Sequence, residues 1–155
     1  MITYQEAYDR LTTAYLQNKV NPYNGCACFV GNLLNGSDNW IGMRTCVGKL
    51  REKAISCVNE ESGGKYTTGD ILSLEAKFMS RVVLPYSSKC DMGYYSGHKT
   101  MEEIWQNPTP EMEEILWRAF VDTLEDLKKL HISKGEVIDK PVILIKRQIK
   151  QAELV

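Results

Sequence analysis

From Thr109 to Gly135 the chain reads TPEMEEILWRAFVDTLEDLKKLHISKG, an order of residues that suits a long amphipathic helix and little else. Met112, Leu116, Ala119, Phe120, Thr123, Leu127 and Leu130 recur at helical spacing and form one apolar stripe. Thr109 followed by Pro110 is an N-cap with proline at the first helical position, where its missing N–H costs nothing. Glu111, Glu113 and Glu114 fall in the first turns and Lys128 and Lys129 in the last, so both ends complement the helix dipole. The spacing predicts a helix over about 110–132. Its stripe must be buried against other elements, and this requirement organises everything upstream.

Those elements read as helices too. Thr3 with Glu6 makes a capping box, with Ile2 and Ala7 at the staple positions, and a tyrosine-rich stripe then predicts a helix over about 4–18. Asn21-Pro22-Tyr23-Asn24-Gly25 is turn chemistry. A second helix is expected from about Cys26 to Leu34, where 26, 29, 30, 33 and 34 share one face and Cys28 lies round the other side. This short, apolar helix would be the hub of the packing. Trp40 to Val58 keep helical spacing with a break near Gly48, because Gly42 and Gly48 each cost about 1 kcal/mol in a helix interior. Thr67 and Asp70 start a fourth helix through Ile71, Leu74, Glu75, Phe78 and Val82. Periodicity then fails over 84–99, a connection long enough to be a functional loop. Thr100 and Glu103 cap a short helix that stops before Pro108. Pro141-Val142-Ile143-Leu144-Ile145 is the one continuous aliphatic run, and with no partner strand legible it reads as an extended tail lying on the helices. The expectation is an all-α, compact bundle of five or six helices with a short extended C-terminal segment, in a single globular domain over 1–155.

At 155 residues with a net charge of −1, the chain lacks the basic excess of a nucleic-acid binder, and the tail's Lys140, Lys146, Arg147 and Lys150 read as a solubilising end. No run approaches membrane-spanning length, and the N-terminus opens on an amphipathic helix rather than a leader, so the expected location is the cytoplasm. Five cysteines, an odd number without a CxxC pair, fit reduced thiols better than a disulfide scaffold or a zinc site.

Two constellations bear on chemistry. A cysteine at a helix start is how many thiol nucleophiles are presented, so Cys26 or Cys28 with His131 as base would make a cysteine-dependent hydrolase of the peptidase or amidase type. Against it, Cys26 lines up with Phe29, Val30 and Leu33 like a core residue, and His131 ends a helix where it would cap or pack. The second constellation is the loop with Cys90, Asp91, Tyr94, Tyr95 and His98, together with Trp105, which offers a binding surface for a protein partner or a small molecule. The spacing of Cys90, Asp91 and His98 does not specify a metal site, and no cofactor motif is present. Glu102, Glu103, Glu111, Glu113, Glu114, Glu125 and Asp126 read as a solvated acidic face.

Finally, YQEAYDRLTTAYLQNKVNPYNGCACFVGNLLNG (4–36), YTTGDILSLEAKF (66–78) and TLEDLKKLHISKGEVID (123–139) resemble small proteins of unassigned function from gut-bacterial and phage genomes. The resemblance implies an accessory protein of a mobile element or phage, supplies no catalytic residues, and draws attention to the segment 130–136. The expected function is therefore a non-enzymatic interaction protein, with a homo-oligomer compatible with it, and the cysteine hydrolase is the alternative.

Overall fold

The computed structural model describes residues 1–44, 48–89 and 100–147, all of whose regular elements are helical. They are α1 (Tyr4–Leu16), α2 (Phe29–Leu33), a 3-10 helix (Asn39–Arg44), α3 (Gly48–Ser62), α4 (Thr68–Lys89), α5 (Met101–Gln106) and α6 (Pro110–Ser133). This is the all-α bundle that the spacing of apolar residues predicts. The starts are set by side chains satisfying orphan backbone donors. Thr3, Thr100 and Thr109 each accept the N–H three residues on, and Thr67 and Asp70 exchange side chain-to-backbone hydrogen bonds in both directions.

The core gathers around α2. Phe29 meets Phe78 of α4 and Phe120 of α6 at ring-centroid distances of 5.6 and 5.0 Å, and Phe78 and Phe120 are 6.2 Å apart. Each such pair adds about 0.5–1.5 kcal/mol beyond the area buried. Phe29, Val30, Leu33 and Leu34 are all fully buried, so five residues of helix act as the hub. The approach is close enough to require glycine: a Cβ on Gly31 would lie 2.1 Å from the Gly25 carbonyl oxygen. Gly42 plays the same part where the 3-10 helix meets α3, its Cβ position being 2.3 Å from the Leu50 carbonyl oxygen.

Two boundaries differ from the sequence reading, for physical reasons. The second helix begins at Phe29 rather than Cys26, because Asn24 builds a turn: its side-chain oxygen accepts the Cys26 N–H, and its carbonyl accepts those of Ala27 and Cys28. The fourth helix runs through Pro85 to Lys89 instead of ending near Leu84. Tyr86 explains this, since it continues the Phe78–Val82 stripe at i+4 and is completely buried. Residues 84–89 of the expected loop are thus helical and 90–99 lie outside the described residues, while α3 begins at Gly48, near the expected break.

Candidate functional site

The two cysteines exchange the roles that a helix beginning at residue 26 would give them. Cys28 is buried and caps α2, its sulfur accepting the Gly31 N–H at 3.4 Å and lying 3.6 Å from the Gly25 carbonyl oxygen. Burial, with the Glu75 carboxylate beside it, pushes the Cys28 thiol up to about 12, the opposite of an activated nucleophile. Cys26 is exposed, and its thiol is raised by desolvation and by the Asp38 carboxylate.

His131 is fully buried, with both ring nitrogens engaged. Its Nε2 lies 2.6 Å from the Tyr66 hydroxyl and its Nδ1 2.7 Å from Oε1 of Glu136. The same carboxylate pairs with Lys65 Nζ at 2.7 Å and accepts the Tyr4 backbone N–H on its other oxygen at 3.0 Å. Lys134 extends the cluster, donating to the Lys65 carbonyl and pairing with Asp70 at 2.7 Å. Protonation states follow from the surroundings. Burial would raise Glu136, but Lys65, His131 and the Tyr4 N–H outweigh it and hold the carboxyl at about 2. Desolvation lowers His131 despite Glu136, and burial together with Glu136 raises the Tyr66 phenol. The consistent assignment is a neutral imidazole donating from Nδ1 to the carboxylate and accepting at Nε2 from the phenol. Glu136–His131–Tyr66 has the connectivity of a catalytic triad, but Tyr66 and His131 are sealed in the core and neither nitrogen faces a thiol. The cluster ties the end of α6 to α1 and to the α3–α4 connection. The hydrogen-bonding role of His131 is thus with Tyr66 and Glu136 rather than with terminal carbonyls.

The binding constellation separates as well. Cys90, Asp91, Tyr94, Tyr95 and His98 lie outside the described residues. Trp105 is 2% exposed and belongs to the core, between Tyr86 and Tyr23 at centroid distances of 5.5 and 6.5 Å. The extension of α4 past Pro85 brings Tyr86 against it, which a loop from residue 84 would not. Among the described residues no group of His, Cys, Asp and Glu is arranged to hold a metal ion, and no helix is long and apolar enough to cross a membrane.

A different feature emerges at the C-terminal segment. Residues 141–147 cross α1 and α6 without joining a helix or a ladder. Leu144 is buried, and its carbonyl accepts Trp117 Nε1 at 2.8 Å; the Ile143 carbonyl accepts the Tyr8 hydroxyl. Arg147 grips Glu113 with two nitrogens, one at 2.8 Å, while its guanidinium lies 5.0 Å from the centre of the Tyr15 ring and donates to the Tyr15 carbonyl. Lys146 pairs with Glu114 and lies over Trp117. Glu113, which the sequence places on a solvated face, is therefore buried, because its partner arrives from 34 residues away. The basic tail is likewise not free, since Lys146 and Arg147 are engaged by carboxylates of the same molecule. Outward, Ile143 and Ile145 are 62% and 75% exposed. A cavity of about 250 Å³ lies alongside, lined by Tyr4, Gln5, Tyr8, Lys140, Pro141 and Ile143.

Comparison of the chain with protein-family models, curated proteins and solved structures gives no match. A functional reading rests on the residues themselves.

Proposed function

We propose that this protein is a non-enzymatic accessory or interaction protein, acting in the cytoplasm, of the mobile-element or phage kind its resemblance suggests. One observation carries the reading. Ile143 and Ile145 stand out from a backbone that a buried ion pair, a tryptophan and a tyrosine hold in place. Aliphatic side chains exposed on a fixed support are the material of a protein-binding surface, because the backbone is already ordered and that part of the cost of docking is reduced. The free thiols of Cys26, Cys28 and Cys57 suit a reducing compartment. The sealed Tyr66–His131–Glu136 cluster supports a structural rather than a catalytic use of the one described histidine. The docking face proposed here is the tail; residues 90–99 of the loop expected to bind lie outside the described residues.

The test is the double variant Ile143→Asp with Ile145→Asp. Both positions are on the surface, so the melting temperature should stay close to wild type. Association should fall, measured by affinity capture from the producing cells and by native elution. Unchanged association with an unchanged fold would overturn the reading.

A further inference from the structure

Asparagine followed by glycine occurs twice in the chain, at 24–25 and at 35–36, and the fold treats the two pairs differently. Such a pair is chemically labile, because glycine has no Cβ to keep its backbone nitrogen away from the asparagine side chain. Asn24 is held at both ends of its amide. Its Nδ2 donates to Glu102 Oε1 at 2.7 Å and its Oδ1 accepts the Cys26 N–H at 2.9 Å. Gly25 behind it is hemmed in, since a Cβ there would lie 2.4 Å from the Ile41 side chain. Asn35 is exposed, and its amide has no hydrogen-bond partner among the described residues. It takes the left-handed position that closes α2, with φ of 62°, and Gly36 follows with φ of 78° and open space around it. One bond keeps the Gly36 nitrogen from the amide, its donation to the Gly31 carbonyl at 2.8 Å, at the end of a helix of only five residues where fraying is easiest.

We propose that Asn35 is a site of spontaneous deamidation, which the fold leaves open while protecting Asn24, and that the product loosens the hub helix. When the end of α2 frays, the Gly36 nitrogen gives its proton to solvent and bonds to Cγ of Asn35. The bond from Cγ to Nδ2 breaks and ammonia leaves, taking its extra proton from solvent. Water then opens the five-membered imide at either carbonyl, giving aspartate or, with the backbone rerouted through Cγ, isoaspartate. Either product adds one negative charge beside the last carbonyls of α2. Isoaspartate also lengthens the backbone by one carbon ahead of Gly36, which breaks the register of the Gly36–Gly31 bond. Ser37 comes next, and it accepts from the Asn39 N–H and from Cys57 Sγ, both at 3.3 Å. The link from α2 to the 3-10 helix and α3 is therefore the part that gives way.

Wild-type protein alone supplies the experiment. Folded protein and protein unfolded in urea are held at mildly alkaline pH, and peptide mapping with electron-transfer fragmentation follows the amide-to-acid mass change at each asparagine. In urea the two pairs should convert at similar rates. In the folded protein Asn35 should convert about tenfold or more faster than Asn24, which must first give up two side-chain hydrogen bonds, one of them to a carboxylate. Equal folded rates, a faster Asn24, or a folded Asn35 still intact when the urea sample is fully converted would each overturn the proposal. The isoaspartyl fraction, separated by ion exchange, should melt below unmodified protein. An unchanged melting temperature would refute the loosening of the hub.

Discussion

Replacing Glu136 by glutamine is expected to cost about 2–3 kcal/mol of folding stability at neutral pH and almost nothing at strongly acid pH. The carboxyl sits at about 2 in the fold against an ordinary value of 4.5, because Lys65, His131 and the Tyr4 N–H favour its charged form. At about 1.4 kcal/mol per tenfold, that difference is about 3.5 kcal/mol, and the 23% exposure of the side chain trims it to about 2–3 kcal/mol. The sign follows from the direction. A carboxylate whose folded value is depressed contributes fully above its unfolded value and loses that contribution as pH falls from about 4.5 towards 2. Glutamine cannot titrate, so the gap between wild type and variant closes over that window. His131 adds an earlier loss, because its depressed value makes the unfolded chain bind a proton first as pH drops past about 6.5, and this loss remains in the variant. For a chain of this length the expected fall in melting temperature at pH 7 is roughly 4–12 °C. Urea unfolding of both proteins at pH 7, 5 and 3 measures it. A variant penalty as large at pH 3 as at pH 7, or none at pH 7, would refute the account of the cluster.

Three further outcomes are expected. Arg147→Ala should destabilise by about 3 kcal/mol in urea unfolding, since it leaves Glu113 buried and unpaired, and adding Glu113→Gln should recover part of that loss by removing the stranded charge. Gly31→Ala should cost about 1–3 kcal/mol, because the new methyl meets the Gly25 carbonyl and α2 must lift off its turn; thermal melts read this directly. In a thiol-reagent titration at neutral pH, Cys26 should react in the folded protein but more slowly than an ordinary exposed thiol, and Cys28 should wait for unfolding, so a fast Cys28 would contradict its burial as the cap of α2.

How far the sequence reveals this molecule depends on the range of each interaction. Helix starts are local, and Thr3, Thr67, Thr100 and Thr109 announce them within three residues. The stripe of α6 is equally legible, and so is the hub formed by Phe29, Val30 and Leu33. Helical spacing puts Cys26 and Cys28 on the wrong faces because the Asn24 turn delays α2 by three residues, so that Cys26 precedes the helix and Cys28 is its cap, and the roughly 100° step per residue does not apply to either. Pro85 reads as a terminator until the buried Tyr86 beyond it is seen to need the helix. The rest depends on distant partners. Nothing near Glu113 points to Arg147, and nothing near His131 points to Tyr66, 65 positions away. Glu136 is within reach of a sequence reading, as a carboxylate five residues past the histidine and just beyond the glycine that turns the chain back.

The most direct test of the interaction surface is photocrosslinking in the cells that produce the protein. A photoreactive amino acid is placed at Ile143 in one experiment and at Leu84, which is comparably exposed on α4, in another. The account predicts a discrete covalent adduct from position 143 and none from position 84. Adducts from position 84 alone would return the docking face to the loop side of the molecule and contradict its placement on the tail.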